Sequence, residues 1–408
     1  MAAIVNSFPS VRRLGWAPHR LLFFVGAGNL LLAMLWWACW LAAQRFPMPH
    51  APAQPAEQPE ADRRVAPARQ FRQAHPARKH RQQESRHEGR QHLVLHDEGV
   101  HPAGVHGGQL ATLAGAMGFG AGLLVGYFMT VAGWLALVGT LAPMLWRERG
   151  TTWHARSIMA ALVLGLLGLG LHGAFLYGGD AWLEFASIKV GSFGLLLPVY
   201  LTVAHRMFPF FAGNVVAGYQ PWRPLWLLAA SWVLLAAHLV LELAHAYAWS
   251  WLPDVALFML TALVCWRWWP QGKAPGILLA LFVGLAWLPM AFALYSAQSI
   301  GYLLTGVYAL GRAPAHALFI GFFGSVLVAM VTRVTQGHSG RPMRMPGLAW
   351  AAFAGIQAIA VLRVLAELST DPLPWHVVAA AGWVLALGPW AARLGWIYLQ
   401  PRADGKPG

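Results

Sequence analysis

The sequence predicts an all-α polytopic membrane protein, a bundle of about ten transmembrane helices. Three observations predict it. Hydrophobic residues make up 58% of the 408 residues and charged ones only 11%, against about 25% charged in a typical soluble domain. Continuous apolar runs recur along the chain, long enough to cross the ~30 Å hydrocarbon layer as helices. They do not alternate with period two, which sets a β-barrel aside. Basic residues also gather at every second span end. The 22 Trp and 20 Phe suit rings seated at headgroup level. The net charge of +14 is scattered over span ends and one loop, so it reads as positive-inside bias and not as a nucleic-acid surface.

Residues 1–43 hold a short basic start, with Arg12, Arg13, His19 and Arg20, and a first span from Leu21 to Ala43. That run exceeds the 7–15-residue core of a secretory signal, so it is expected to be retained. Residues 44–106 differ in kind. Pro, Gln, Arg, Glu and His dominate and nothing there builds a core, so a disordered exoplasmic loop is expected. It carries His50, His75, His80, His87, His92, His96, His101 and His106, and neutral imidazoles bind copper and zinc readily. Metal collection and a solubilising insert are both compatible with this composition.

Residues 107–400 form the bundle. The second span is expected from Gln109 to Leu145, with Gly118, Gly122 and Gly126 as a ladder for close helix approach and Pro143 near its end. The others follow at Ile158–Tyr177, Trp182–Val203, Pro224–Tyr247, Leu252–Trp269, Pro275–Ala297, Pro314–Pro342, Pro346–Leu368 and Val377–Leu399. The basic ends are the N-terminus and 147–156, 206–223, 267–273, 333–344 and 393–406. The connections between them carry few cations. Ten spans with both termini cytoplasmic satisfy this alternation, and residues 401–408 become a cytoplasmic tail.

Ionisable groups inside a membrane cost about 2.5–3.5 kcal/mol each on insertion scales and usually face the bundle interior. The eighth span carries a histidine near each end, His316 and His338, about 33 Å apart if helical. It reads as a strut between two layers. The outer layer holds His106, His172 and His316; the inner one holds His205, Arg206, Arg333 and His338. His238, Glu242 and His245 share one face of the fifth span at helical spacing. Glu242-x-x-His245 has the spacing of carboxylate-bridged dimetal bundles, but no second copy exists. The metal-ligand candidates are therefore His106, His172, His238, Glu242 and His245; the cofactor-binding candidates are His205, Arg206, His316, Arg333 and His338. A lone membrane histidine is more often a packing residue, which weighs most on His172 and His238. Imidazoles ligate haem iron and arginines pair with propionates, so clustered histidines point to haem or copper. Cys39 and Cys265 form no CxxC, which excludes iron–sulfur, thiolate-zinc and c-type haem sites. There is no P-loop, nucleophile elbow or HExxH; no catalytic residue is assigned and redox chemistry at a bound haem is the one enzymatic route left open.

The segment from His316 to Gly324, HALFIGFFG, and its continuation from Thr332 to Pro342, TRVTQGHSGRP, resemble the signature of the NnrS family. So does His205 to Phe211, HRMFPFF. Fainter echoes are Gly126 to Thr130 with Trp134, Arg363 to Ala366, and Pro401 to Gly405. The resemblance implies a bacterial inner-membrane protein carrying haem and copper and linked to the nitric oxide response, so nitric oxide, haem, metal ions and the lipid bilayer are its implied partners. It also implies twelve spans where charge gives ten. The family's His-x-His-Glu-Met start of the second span is reduced here to His106 followed by Gly107-Gly108-Gln109-Leu110, so a second ligand would come from the loop or from His172. The competing class is a copper or other metal transport or delivery protein, with the His-rich loop collecting the ion.

Overall fold

The computed structural model describes residues 122–148, 150 and 152–406. The first span, the His-rich stretch, the start of the second span and His106 lie outside them. Among the described residues there is no strand. Nine long helices follow one another: α1 Gly122–Arg147, α2 Trp153–Gly178, α3 Ala181–Val215, α4 Leu225–Leu243, α5 Trp251–Trp268, α6 Gly276–Thr305, α7 Ala313–His338, α8 Gly347–Ala366 and α9 Leu373–Tyr398. Eight of them are long and apolar enough to cross a membrane. The ninth, α5, carries Asp254, Arg267 and three tryptophans, which lower its hydropathy. The described residues therefore leave the expected totals of ten and twelve spans unconfirmed.

The expected spans reappear with shifted ends. Pro143 does not end α1, which runs on to Arg147. In a membrane the apolar run to Trp146 favours keeping the helix, because an unwound backbone has no water to bond. α3 does not stop near Val203 but carries the HRMFPFF motif to Val215 as helix. α4 stops early, at Leu243. His245 takes φ 53°, and Ala246 N–H reaches back to the Leu241 carbonyl at 2.8 Å. This is the left-handed helix end, with histidine where glycine is commoner.

α6 and α7 form the centre. Leu281, Leu285, Leu288 and Phe292 of α6 are fully buried against Leu318 and Phe322 of α7. α3 and α7 each contain a π-helical stretch, Val190–Leu196 and Ala317–Gly324. Such stretches often accompany functional sites, and the second follows His316 directly. Glycine makes these contacts possible. A Cβ on Gly165 would stand 2.8 Å from the Trp134 ring, and one on Gly321 would stand 2.4 Å from the Trp287 ring. Trp287 is nearly buried and its indole N–H donates to Gln357 Oε1 at 2.6 Å, so the ring has little freedom to retreat. Gly321→Ala is expected to cost about 1–3 kcal/mol by overpacking, read as a lower unfolding midpoint in detergent.

The expected polar tail is docked onto the end of α7. Arg402 pairs with both carboxylate oxygens of Asp404 and donates to the His338 carbonyl at 3.0 Å. The Ala403 N–H donates to the Ser339 carbonyl. The Arg402 guanidinium holds the Asp404 carboxyl well below the usual carboxylate range. Two stretches noted in the sequence, 332–342 and 401–405, thus meet at one end of the bundle.

Candidate functional site

The chain's ends alternate, so the start of α7, the end of α8 and the start of α9 lie together. They bring His316, Glu367 and His376 into one cluster. Arg363, one turn before Glu367 on α8, points its Nη2 at His316 Nε2, 2.7 Å away. Glu367 Oε1 is 3.1 Å from that same nitrogen and 3.7 Å from His376 Nε2. Glu367 Oε2 accepts from the Arg312 N–H at 3.0 Å.

A guanidinium only donates. His316 Nε2 must therefore present its lone pair to Arg363, which puts the imidazole proton on Nδ1. That same lone pair then faces a carboxylate oxygen across 3.1 Å, two acceptors opposed. The cluster is thus incompletely paired as it stands. Three further polar atoms in it are buried without a hydrogen-bond partner: Arg363 Nη1, His376 Nε2 and Trp383 Nε1. Such groups are uncommon in native interiors and costly unless something meets them. They border a cavity of about 370 Å³ whose other walls are apolar, with Phe319, Ile320 and Ile359 among them. Arg312 and Arg363 are the charged residues of the lining among the described residues, and Glu367 stands behind them. This lining favours an anionic or metal-bearing group.

The other end of the bundle holds a second histidine pair. His205 Nδ1 lies 2.9 Å from His154 Nε2, and His205 Nε2 donates to the Pro224 carbonyl at 3.1 Å. His154 Nε2 is then the donor of the first bond. Both His205 nitrogens are engaged, and a neighbouring cavity measures only about 20 Å³. The Arg333 guanidinium stacks 3.9 Å from the Phe211 ring centre, joining the two main motifs. His338 is exposed at the end of α7.

A third cluster is ionic and buried. Lys189 of α3 meets Glu242 of α4 at 2.5 Å; His238 Nδ1 meets Asp254 of α5 at 2.5 Å; and His238 Nε2 lies 3.8 Å from Glu242. His238 and Asp254 are fully buried. Tyr247 and Tyr308 lie on connecting segments at this end. Burial, helped by the Glu242 charge, pushes both phenols up, so they stay neutral.

The structure therefore regroups the expected residues. His316 is joined to Arg363, Glu367 and His376, not to His172, whose Nδ1 meets Glu184 at 2.6 Å. His205 is joined to His154. His238 and Glu242 do share a buried face, but His245 lies beyond the helix end, bonded to the Tyr247 hydroxyl at 2.6 Å. This removes the helical Glu-x-x-His geometry. Among the described residues no group of three or more His, Cys, Asp or Glu side chains is arranged to hold a metal. Sequence reading passed over Arg312, Glu367, His376 and Trp383, and Arg363 entered only as a motif residue. It also passed over His154, Lys189 and Asp254. Lys189, a lone lysine inside an apolar span, was the available signal.

Compared with known proteins, residues 100–402 match a family model described as NnrS protein. No match was found among curated proteins or among solved structures.

Proposed function

We propose, from the premise that this chain belongs to the NnrS family, that it is a haem- or copper-binding multi-pass protein of the bacterial inner membrane, with both termini cytoplasmic, that protects against nitric oxide. The observation that supports this reading best is the His316 cavity. It combines two imidazoles with two arginines and three unpartnered buried atoms, and Glu367 lies behind His316. This donor chemistry fits the implied group: His376, and His316 once Arg363 turns from it to a carboxylate, would supply nitrogen donors, and Arg312 and Arg363 would meet carboxylates. When bound, the group supplies redox-active iron or copper able to interact with nitric oxide. The chain's own part is to position it. Arg363 orients the His316 ring through Nε2, Glu367 ties α8 to the start of α7, and Phe319, Ile320 and Ile359 limit access of water.

The test is growth under a nitric oxide donor in cells whose own copy is deleted. The chain is expected to restore growth, and His316→Ala is expected to restore less than a tenth of that benefit. Equal rescue by both would remove the cavity from the function. The second reading, metal transport or delivery, draws on the buried Lys189–Glu242–His238–Asp254 cluster, which places acidic groups inside the bundle. It predicts that deleting residues 50–101 alters cellular copper while leaving nitric oxide tolerance intact.

A further inference from the structure

A second sizeable cavity lies at the arginine-rich end of the bundle, between α2 and α4. It measures about 460 Å³ and is bordered by Trp153, Arg156, Ser157, Trp226, Leu228 and Trp232. Among the described residues Arg156 is the one charged residue in its lining, and no carboxylate lines it. The guanidinium sits 5.3 Å from the centre of the Trp153 ring. Trp232 is fixed by donation to Ser157 Oγ at 2.8 Å, which in turn bonds Thr202 at 2.6 Å. Trp153 and Trp226 are about half exposed, at 54% and 51%, so the cavity opens sideways toward lipid.

α2 and α4 both begin beside this cavity, neither has an acidic residue in its first turn, and neither Thr152 nor Pro224 supplies a side-chain cap. Thr152 Oγ1 is buried without a partner. Two helix N-termini carry partial positive charge, and Arg156 adds a full one. Arg206 and Arg223 flank the same end in the chain. The walls below are aromatic and aliphatic.

We propose that this cavity is a binding site for one anionic phospholipid. Its phosphate is met by Arg156 and the mouth of α2 and α4, and its acyl chains lie against Trp153, Trp226 and Trp232. Charge complementarity selects the headgroup, because a cationic lining without carboxylates among the described residues favours a net negative lipid over a zwitterionic one. Tryptophan suits this depth, being apolar in body with a polar edge. The site is separate from the His316 cavity and does not depend on any cofactor.

The test is native mass spectrometry of the full chain in detergent with equimolar phosphatidylglycerol and phosphatidylcholine. One phosphatidylglycerol is expected to be retained at least tenfold in preference. Arg156→Gln, an exposed position, is expected to abolish the preference, with helix content checked by circular dichroism. Arg156→Lys should keep most of it. Glycerol phosphate at matched concentration should not displace the lipid. Equal retention of the two lipids, displacement by glycerol phosphate, or an unchanged preference in Arg156→Gln would each overturn the proposal. The wild-type lipid comparison decides the matter even if a variant fails to fold.

Discussion

Lys189→Met is expected to destabilise the bundle by about 3–5 kcal/mol, the scale for removing one partner of a buried ion pair. Its ammonium lies 2.5 Å from Glu242, whose side chain is 7% exposed. Methionine fills similar volume but leaves the carboxylate without its cation, and His238 is too far, at 3.8 Å, to replace it by a hydrogen bond. Pairing the change with Glu242→Gln should recover much of the loss, since a neutral amide needs no counter-ion. Denaturant unfolding of the purified protein and a double-mutant cycle measure both. A loss under about 1 kcal/mol for Lys189→Met would show that Glu242 does not depend on Lys189.

His316→Ala is expected to reduce bound haem or copper to less than a tenth of the wild-type amount, while His205→Ala leaves most of it. The difference follows from what each imidazole already does. His316 lines a 370 Å³ cavity together with His376, and only a movable guanidinium meets its Nε2 lone pair. His205 spends both nitrogens on His154 and Pro224 and has no such space beside it. His205→Ala should instead cost stability, about 1–3 kcal/mol for leaving the His154 donor and the Pro224 carbonyl unpaired. Metal analysis and thermal unfolding on the same samples separate the two outcomes. Equal cofactor loss in both variants would place the group at both ends, or at neither.

The helices were legible because apolar runs and flanking arginines are local signals. Their ends were less so. Pro143 and His245 each behaved against local preference, one continuing a helix and the other ending it, because the membrane and the turn geometry outweighed residue propensity. The site was half legible. His316 stood out as a histidine at the head of an apolar span. Its partners did not, because Glu367 and His376 lie at the end of one span and the start of the next, where polar residues are expected for solubility alone. Only the return of α8 and α9 to the head of α7 brings them within 4 Å. The two-layer picture shows the same limit: position along each span is a local property, but which helices are neighbours is not. His172 and His316 therefore shared a predicted layer and yet bond to different partners.

Whether the His316 cavity holds a haem or copper group is read most directly from an absorption spectrum, with iron and copper quantitation, of the full chain purified from membranes supplied with both metals. A Soret band or near-stoichiometric copper is expected, lost in His316→Ala at unchanged helix content. A colourless wild-type protein with neither iron nor copper would contradict this reading.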